Sequence, residues 1–421
     1  RPETILADTA VAVNPDDERY KSFIGKTAII PIVNREVPII ADEYVDKEFG
    51  SGCVKITPAH DFNDYEIGLK HDLEVISCMK LDGTMSDDDF MPENYKNLDR
   101  FEARDQIVNE LSELGFLVSA DDHVIQLPKG DRSKSILEPM ITDQWFVKTK
   151  ELADRGIAEV ENENMKFIPK NWEKTYFEWM YNIQDWCISR QIWWGHQIPA
   201  WYDEDGNIYV ATTESEVREK YKLSDDLKLS QDKDVLDTWF SSALWPFSTL
   251  GWPEESTDLK KYYPTSLLVT GFDIIFFWVA RMIMMGLNFN DDVPFKDILI
   301  HGLVRDSKGR KMSKSLKNTI DPLELSEKHG ADALRFSLIE KAAPGQDVPF
   351  DEEWTIAAKK FGNKLWNAAK FVHLYSPEEK RTDEIKEITC PENVWIASRF
   401  DEVLAEFNEL FEKYKISDAY K

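Results

Sequence analysis

Leu267-Leu-Val-Thr-Gly-Phe-Asp-Ile-Ile-Phe-Phe-Trp-Val-Ala-Arg-Met-Ile-Met-Met-Gly-Leu287 runs from a short apolar stretch, through a glycine and an acid, into a long apolar segment. Leu267–Thr270 reads as a short apolar strand running straight into a helix that starts near Ile274. Asp273 opens the helix and Arg281 interrupts it. The apolar part is too short to span a bilayer, so a buried helix is expected and no membrane partner. Asp297-Ile-Leu-Ile300 repeats the strand pattern and ends at His301-Gly302. Strands alternating with helices imply an α/β fold with a parallel sheet. Such sheets bind ligands beyond the carboxyl ends of their strands.

Working outward, the region from about 140 to 300 continues the alternation. Asn171–Asn182 reads as an aromatic-rich helix, Gly195–Tyr202 as a strand before a turn at Asp203–Asn207, and Val235–Leu244 as a helix. From about 353 the period becomes helical. Trp354, Ala357, Phe361, Leu365, Ala368 and Val372 mark one helix, and Trp395, Phe400, Val403, Phe407, Leu410, Phe411 and Tyr414 a second. Upstream, Thr27–Val33, Glu36–Ala41 and Cys53–Thr57 read as strands, with Pro38 suggesting a sheet edge. Asp64–His71 and Arg100–Leu114 read as helices, the latter capped by Gly115. Pro128–Ser135 reads as a linker. The expected divisions are 1–135, 136–302, 303–350 and 351–421.

A chain of 421 residues, 42% hydrophobic, is large enough for two to four domains. Cys53, Cys78, Cys187 and Cys390 form no C-x-x-C pair. That argues against a disulfide framework or cysteine zinc site and suits a reducing cytoplasm; no protein-bound metal is expected. The net charge of -27 disfavours non-specific nucleic-acid binding. Arg305–Lys317 reverses the trend, with six cations (Arg305, Lys308, Arg310, Lys311, Lys314, Lys317) and one anion (Asp306). The opening Arg1-Pro-Glu-Thr4, with neither an initiator Met nor a signal peptide, suggests part of a longer protein.

Chemistry concentrates in Gly309-Arg-Lys-Met-Ser-Lys-Ser315. Lys311 and Lys314, three apart on a glycine-initiated loop, can reach two phosphate oxygens, while Ser313 and Ser315 add hydroxyls and amides. Such a group neutralises charge building on a leaving pyrophosphate. An isolated K-x-x-K is more often a solvated basic loop. Gly271 permits close ligand approach, and Asp273 can accept hydrogen bonds from a ribose or an ammonium; the plainer role for Asp273 is a helix cap. Trp239, Ile274 and Trp278 could wall a small apolar pocket, Ile274 and Trp278 sharing a helix face; stacked aromatics are otherwise usual core. Lys55 and Thr57 share one strand face, with Asp61 and Asp64 just beyond. His60 is read as an exposed loop histidine rather than a general base.

Lys311-Met312-Ser313-Lys314-Ser315 resembles the signature loop of the class I aminoacyl-tRNA synthetases. Asp185–Tyr202, Gly271–Met282 and Arg1–Pro15 resemble blocks of their valine-specific branch. The resemblance runs from residue 1 to the helices after 353. It implies the second half of a Rossmann-like catalytic domain (136–302), an inserted β-rich α/β editing domain (1–135), a lysine-loop and stem-contact region (303–350) and the start of a helical anticodon-binding bundle (351–421). It implies ATP with Mg2+, valine and tRNA-Val as substrates, in a monomer. ATP would be bound by Gly271, Asp273, His301, Met312 and Lys314, with Lys311, Ser313, Lys314 and Ser315 catalytic. The second, hydrolytic site would comprise Arg1, Thr4, Lys55, Thr57, Asp61 and Asp64. The family also uses a His-x-Gly-His element, absent here, so this chain alone is expected not to form an adenylate. Isoleucine specificity, or a non-catalytic RNA- or protein-binding module, are the alternatives.

Overall fold

The structure is a computed structural model describing residues 1–120, 124, 126–130, 133–313, 316–342, 345–375 and 390–421. It divides into two compact units, Arg1–Asp143 and Gln144–Lys421.

The first unit is built on a four-stranded sheet in the order β2-β3-β1-β4, where β1 is Ala10–Val13, β2 Thr27–Ile30, β3 Arg35–Ala41 and β4 Cys53–Ile56. β1 pairs with β3 in parallel and with β4 antiparallel. The edge assignment for Pro38 is therefore wrong, because β3 is interior. Pro38 is tolerated there because pairing with β1 starts one residue later, at Ile39; the proline lacks only a donor that this side of the ladder does not need. The helix α1 (Phe62–Lys70) is capped by Asp61, which accepts from the amides of Asn63 and Asp64. The helix α2 (Arg100–Glu113) ends as expected at Gly115, with φ of 75°. The Gly115 amide reaches the Ser112 carbonyl and the Phe116 amide that of Leu111, a Schellman closure. A buried cluster that includes Leu6, Met85, Met91, Tyr95 and Ile107 packs α2 against the turn Pro2–Ala7.

In the second unit, β5 (Lys166–Ile168), β6 (Thr265–Gly271) and β7 (Phe295–His301) form a parallel sheet with β7 central. The helices α3 (Lys150–Glu161), α4 (Trp172–Tyr181) and α5 (Arg281–Asn290) supply its core, where Phe167, Tyr176, Val279, Ile283, Leu287, Ile298 and Ile300 are buried. At roughly 25 cal/mol per Å2 of apolar surface removed from water, each such side chain contributes about 1.5–3 kcal/mol. β6 does not run straight into α5. A 3-10 turn (Phe272–Ile274) and a π-helical segment (Ile275–Ala280) intervene. The apolar segment is longer than expected: Phe272–Asn290, 19 residues, is long and apolar enough to cross a membrane by composition, so length does not exclude it as expected; 56% of an 18-residue window within it is buried inside the protein.

Two further expectations change. Val235–Leu244 is not one helix. Val235 and Leu236 pair with Arg190 and Ser189, and Asp237 then caps a short helix, Thr238–Ala243, by accepting from the Trp239 amide. Of Gly195–Tyr202, only Ala200–Tyr202 is a strand. The helices α6 (Glu352–Tyr375) and α7 (Pro391–Glu412) occupy the two stretches of late helical period. All four cysteines are free thiols.

Candidate functional sites

Gly271 and His301 stand side by side at the carboxyl ends of β6 and β7. The exposed Asp273 lies two residues beyond and folds its carboxylate back over Gly271: a Cβ at 271 would be 2.6 Å from Asp273 Oδ1 and 3.7 Å from His301 Cε1. The glycine is needed for this close approach, and the three sequence-chosen residues are brought together. Asp273 does not cap the helix, since Gly271 occupies the cap position and no side chain bonds there.

Beyond His301 the chain passes through Gly302 into a tight cationic hairpin closed by an Arg305–Lys311 bridge. Asp306 organises it. Its Oδ1 accepts from the Lys308 and Arg310 amides, and its Oδ2 accepts from Arg310 Nε and from Asn318 Nδ2. These four donors hold the Asp306 carboxyl far below the usual carboxylate range, the Asn318 bond being the largest cause. Asn318 also donates to the Lys311 carbonyl and accepts from the Ser313 amide, 2.9 Å away. Lys311 is exposed, and Met312 and Ser313 are half-buried. Lys314 and Ser315 lie outside the described residues. Asp306 and Asn318 were not singled out from the sequence; an acid and an amide flanking a run of cations are the signal that could have found them.

Trp239, Ile274 and Trp278 are all half-buried. The Trp239 helix packs on the segment carrying the other two: Trp239 stacks on Phe277 at 5.9 Å, and Trp278 Nε1 donates to the Ser242 carbonyl at 3.0 Å. Beneath them Asp237 Oδ2 accepts from Trp186 Nε1, Arg190 and Arg281, and the Arg281 guanidinium lies 3.8 Å from the Trp186 ring centroid. This ionic core holds the aromatic wall in place.

In the first unit, Arg1, Thr4, Lys55, Thr57, Asp61 and Asp64 line one cavity of about 260 Å3, with Tyr44, Val54 and His60. Lys55 Nζ donates to Thr57 Oγ1 (2.5 Å), Thr4 Oγ1 (2.8 Å) and Asp8 Oδ1 (3.3 Å). Asp64 Oδ2 accepts from the Thr57 amide at 2.9 Å. Burial raises the Asp64 pKa; a cation arriving beside it would act the other way, favouring the carboxylate by its opposite charge. Arg1 donates to the His60 carbonyl and pairs with Glu138. His60 is buried rather than exposed. Its Nε2 accepts from the Cys78 amide, so Nδ1 carries the proton facing the Pro139 carbonyl. Burial pushes its pKa down to about 4, and with both nitrogens engaged it is a structural group. Sequence reading missed Asp8 behind the cavity, although a lone acid in the apolar run Ile5–Val13 is itself a signal that something must pair with it.

Residues 6–351 match the family model for class I tRNA synthetases (I, L, M and V). The chain is 53% identical to a valine–tRNA ligase of Clostridium tetani, covering 100% of this chain and 47% of that protein. It is 52% identical to the one of Thermotoga maritima, with 100% and 48% covered, and 49% identical to that of Legionella pneumophila, with 99% and 49% covered. The chain thus spans about half the length of the curated relatives it matches. Among solved structures, it overlays a leucyl-tRNA synthetase of Agrobacterium radiobacter in a ternary complex with tRNA and LeuAMS at TM-score 0.50 and 17% identity, over 99% of this chain and 52% of that one. It overlays a Mycobacterium tuberculosis methionyl-tRNA synthetase bound by methionyl-adenylate at TM-score 0.50 and 20% identity, over 69% and 52%. These two likenesses concern the fold. The chain belongs to the class I tRNA synthetases, in the group comprising I, L, M and V, and it matches valine–tRNA ligases along its whole length.

Proposed function

We propose that this chain is part of a cytoplasmic enzyme that activates valine with ATP and Mg2+, passes it to tRNA-Val, and hydrolyses mischarged Thr-tRNA. The observation that carries the ligase reading is the hairpin rooted at the end of β7, whose register partner Gly271 lies beneath Asp273 and His301. In activation the valine carboxylate oxygen attacks the α-phosphorus, a new O–P bond forms, and the bond to pyrophosphate breaks. Lys311, with Lys314, neutralises the leaving pyrophosphate. Asp273 accepts from a ribose hydroxyl in this reading, and Trp239, Ile274 and Trp278 wall the side-chain pocket.

An apolar pocket cannot strongly reject an isostere that only adds a hydroxyl, an error for which valine-specific synthetases are the standard illustration. The cavity of the first unit suits its removal. Water attacks the ester carbonyl, the bond to the terminal ribose breaks, and the ribose oxygen takes up a proton. Asp64 receives the substrate ammonium, and Lys55 faces the charge growing on the carbonyl oxygen. Because the His-x-Gly-His element is absent, this chain alone should show background ATP–pyrophosphate exchange; exchange at a normal rate would refute that. In the full-length protein, valine-dependent exchange and hydrolysis of preformed Thr-tRNA-Val are expected. Hydrolysis of Val-tRNA-Ile instead would make isoleucine the substrate, and absence of both activities would favour a binding module.

A further inference from the structure

Asp8 stands between the turn Pro2–Ala7 and β1, with its side chain 1% exposed. Its Oδ1 accepts from Thr57 Oγ1 at 2.5 Å and from Lys55 Nζ at 3.3 Å. Its Oδ2 is buried and has no hydrogen-bond partner. A hydroxyl has one proton and two lone pairs. Thr57 gives its proton to Asp8 and one lone pair to Lys55. What remains for the cavity is a single lone pair.

We propose that Asp8 is a positioning residue of the hydrolytic cavity: by drawing the Thr57 proton inward, it makes Thr57 an obligatory hydrogen-bond acceptor for the attacking water. The water then donates one proton to Thr57 and turns a lone pair toward the ester carbonyl. This rests on the editing reading above. Asp8 touches neither water nor ester; it acts through Thr57 and Lys55. A protonated Asp8 could donate to Thr57 instead, turning that hydroxyl proton outward and spoiling the water's orientation. Burial pushes the Asp8 pKa up to about 6, against the pull of Lys55 and Thr57. The other groups around it are Asp64 from α1, whose charge raises it further, the buried Cys78 thiol, and Arg35 from β3, which donates to its main-chain carbonyl.

The test is hydrolysis of preformed Thr-tRNA-Val by the full-length protein, with valine charging as the folding control. Asp8→Asn should lower kcat roughly 10- to 100-fold with little change in KM. It should also abolish the acid limb, near pH 6, of the parent profile. Thr57→Ser should retain activity, Thr57→Val should lose it, and D8N combined with T57V should be no worse than T57V. A D8N variant with parental rate and acid limb, or additive losses in the double variant, overturns the proposal while leaving the editing reading intact. A parent protein that leaves Thr-tRNA-Val untouched at every pH removes both. Should D8N fail to fold, the acid limb decides: a limb near pH 6 in both the parent and T57S supports the role of Asp8, and full activity in T57V or a parent profile flat through pH 6 overturns it.

Discussion

Lys55 and Lys311 hold their cations by opposite means. Lys55 is half-buried, and its ammonium is tied to two hydroxyls and a buried carboxylate before any ligand arrives. Lys311 is exposed on a hairpin whose backbone, rather than whose cations, is fixed, by Asp306 and Asn318. An ester needs a stationary charge at one atom, whereas a triphosphate presents several anionic oxygens and suits exposed cations on a shaped loop. The difference predicts rigidity in the first site and tolerance of motion in the second.

The largest effect is expected where the second unit admits no motion. A Cβ at Gly302 would overlap the Gln346 backbone carbonyl, so Gly302→Ala should destabilise the protein by about 3 kcal/mol or more, seen as a drop in the denaturant midpoint. A midpoint unchanged in G302A would break the picture of a fixed root beneath a shaped hairpin.

A pH experiment sharpens the same contrast in the first unit. Folded His60 resists protonation until about pH 4, whereas an unfolded histidine takes its proton near 6.5. Stability is therefore lost as pH falls through that window, by about 1.4 kcal/mol per unit. Asp8 has the opposite sign. Folded, it keeps its proton up to about pH 6, so its contribution is lost as pH rises from about 4 toward 6. The two slopes oppose each other between them. His60→Gln should gain stability relative to the parent as the solution is acidified, and D8N should gain as it is made alkaline, by urea titrations at several pH values. Parallel curves for parent and H60Q would show that the histidine is not held neutral.

Smaller losses belong to the hairpin. Asn318→Ala should reduce valine-dependent exchange by about tenfold, through loss of three hydrogen bonds that water partly replaces, and leave Thr-tRNA hydrolysis unchanged. Gly271→Ala, which must push the Asp273 carboxylate aside, should raise KM for ATP by about the same factor.

What could be read in advance follows the same division. β7 and the lysine hairpin are contiguous in sequence, so an apolar run and a string of cations sufficed to find them. The first cavity joins Thr4, Lys55, Thr57 and Asp64 across sixty residues; resemblance assembled those positions, and residue chemistry gave only the Lys55–Thr57 and Asp61–Asp64 pairs. Asp8 went unseen because its role exists only when β1 meets β4. His60 looks like an exposed loop residue in the sequence because nothing local shows that the Cys78 amide and the Pro139 carbonyl will close around it. Pro38 misled because its missing donor matters only where pairing needs it, and Val235–Leu244 because Asp237 hides a strand-to-helix junction inside one apolar stretch.

The most direct test is a crossed assay on the full-length protein, measuring valine-dependent ATP–pyrophosphate exchange and Thr-tRNA-Val hydrolysis in Lys311→Ala and Lys55→Ala. The two sites as described require K311A to lose exchange by roughly 100-fold or more while still hydrolysing the ester, and K55A to do the reverse. If either substitution removes both activities in a folded protein, or neither, the assignment of these two lysines to separate chemistries is wrong.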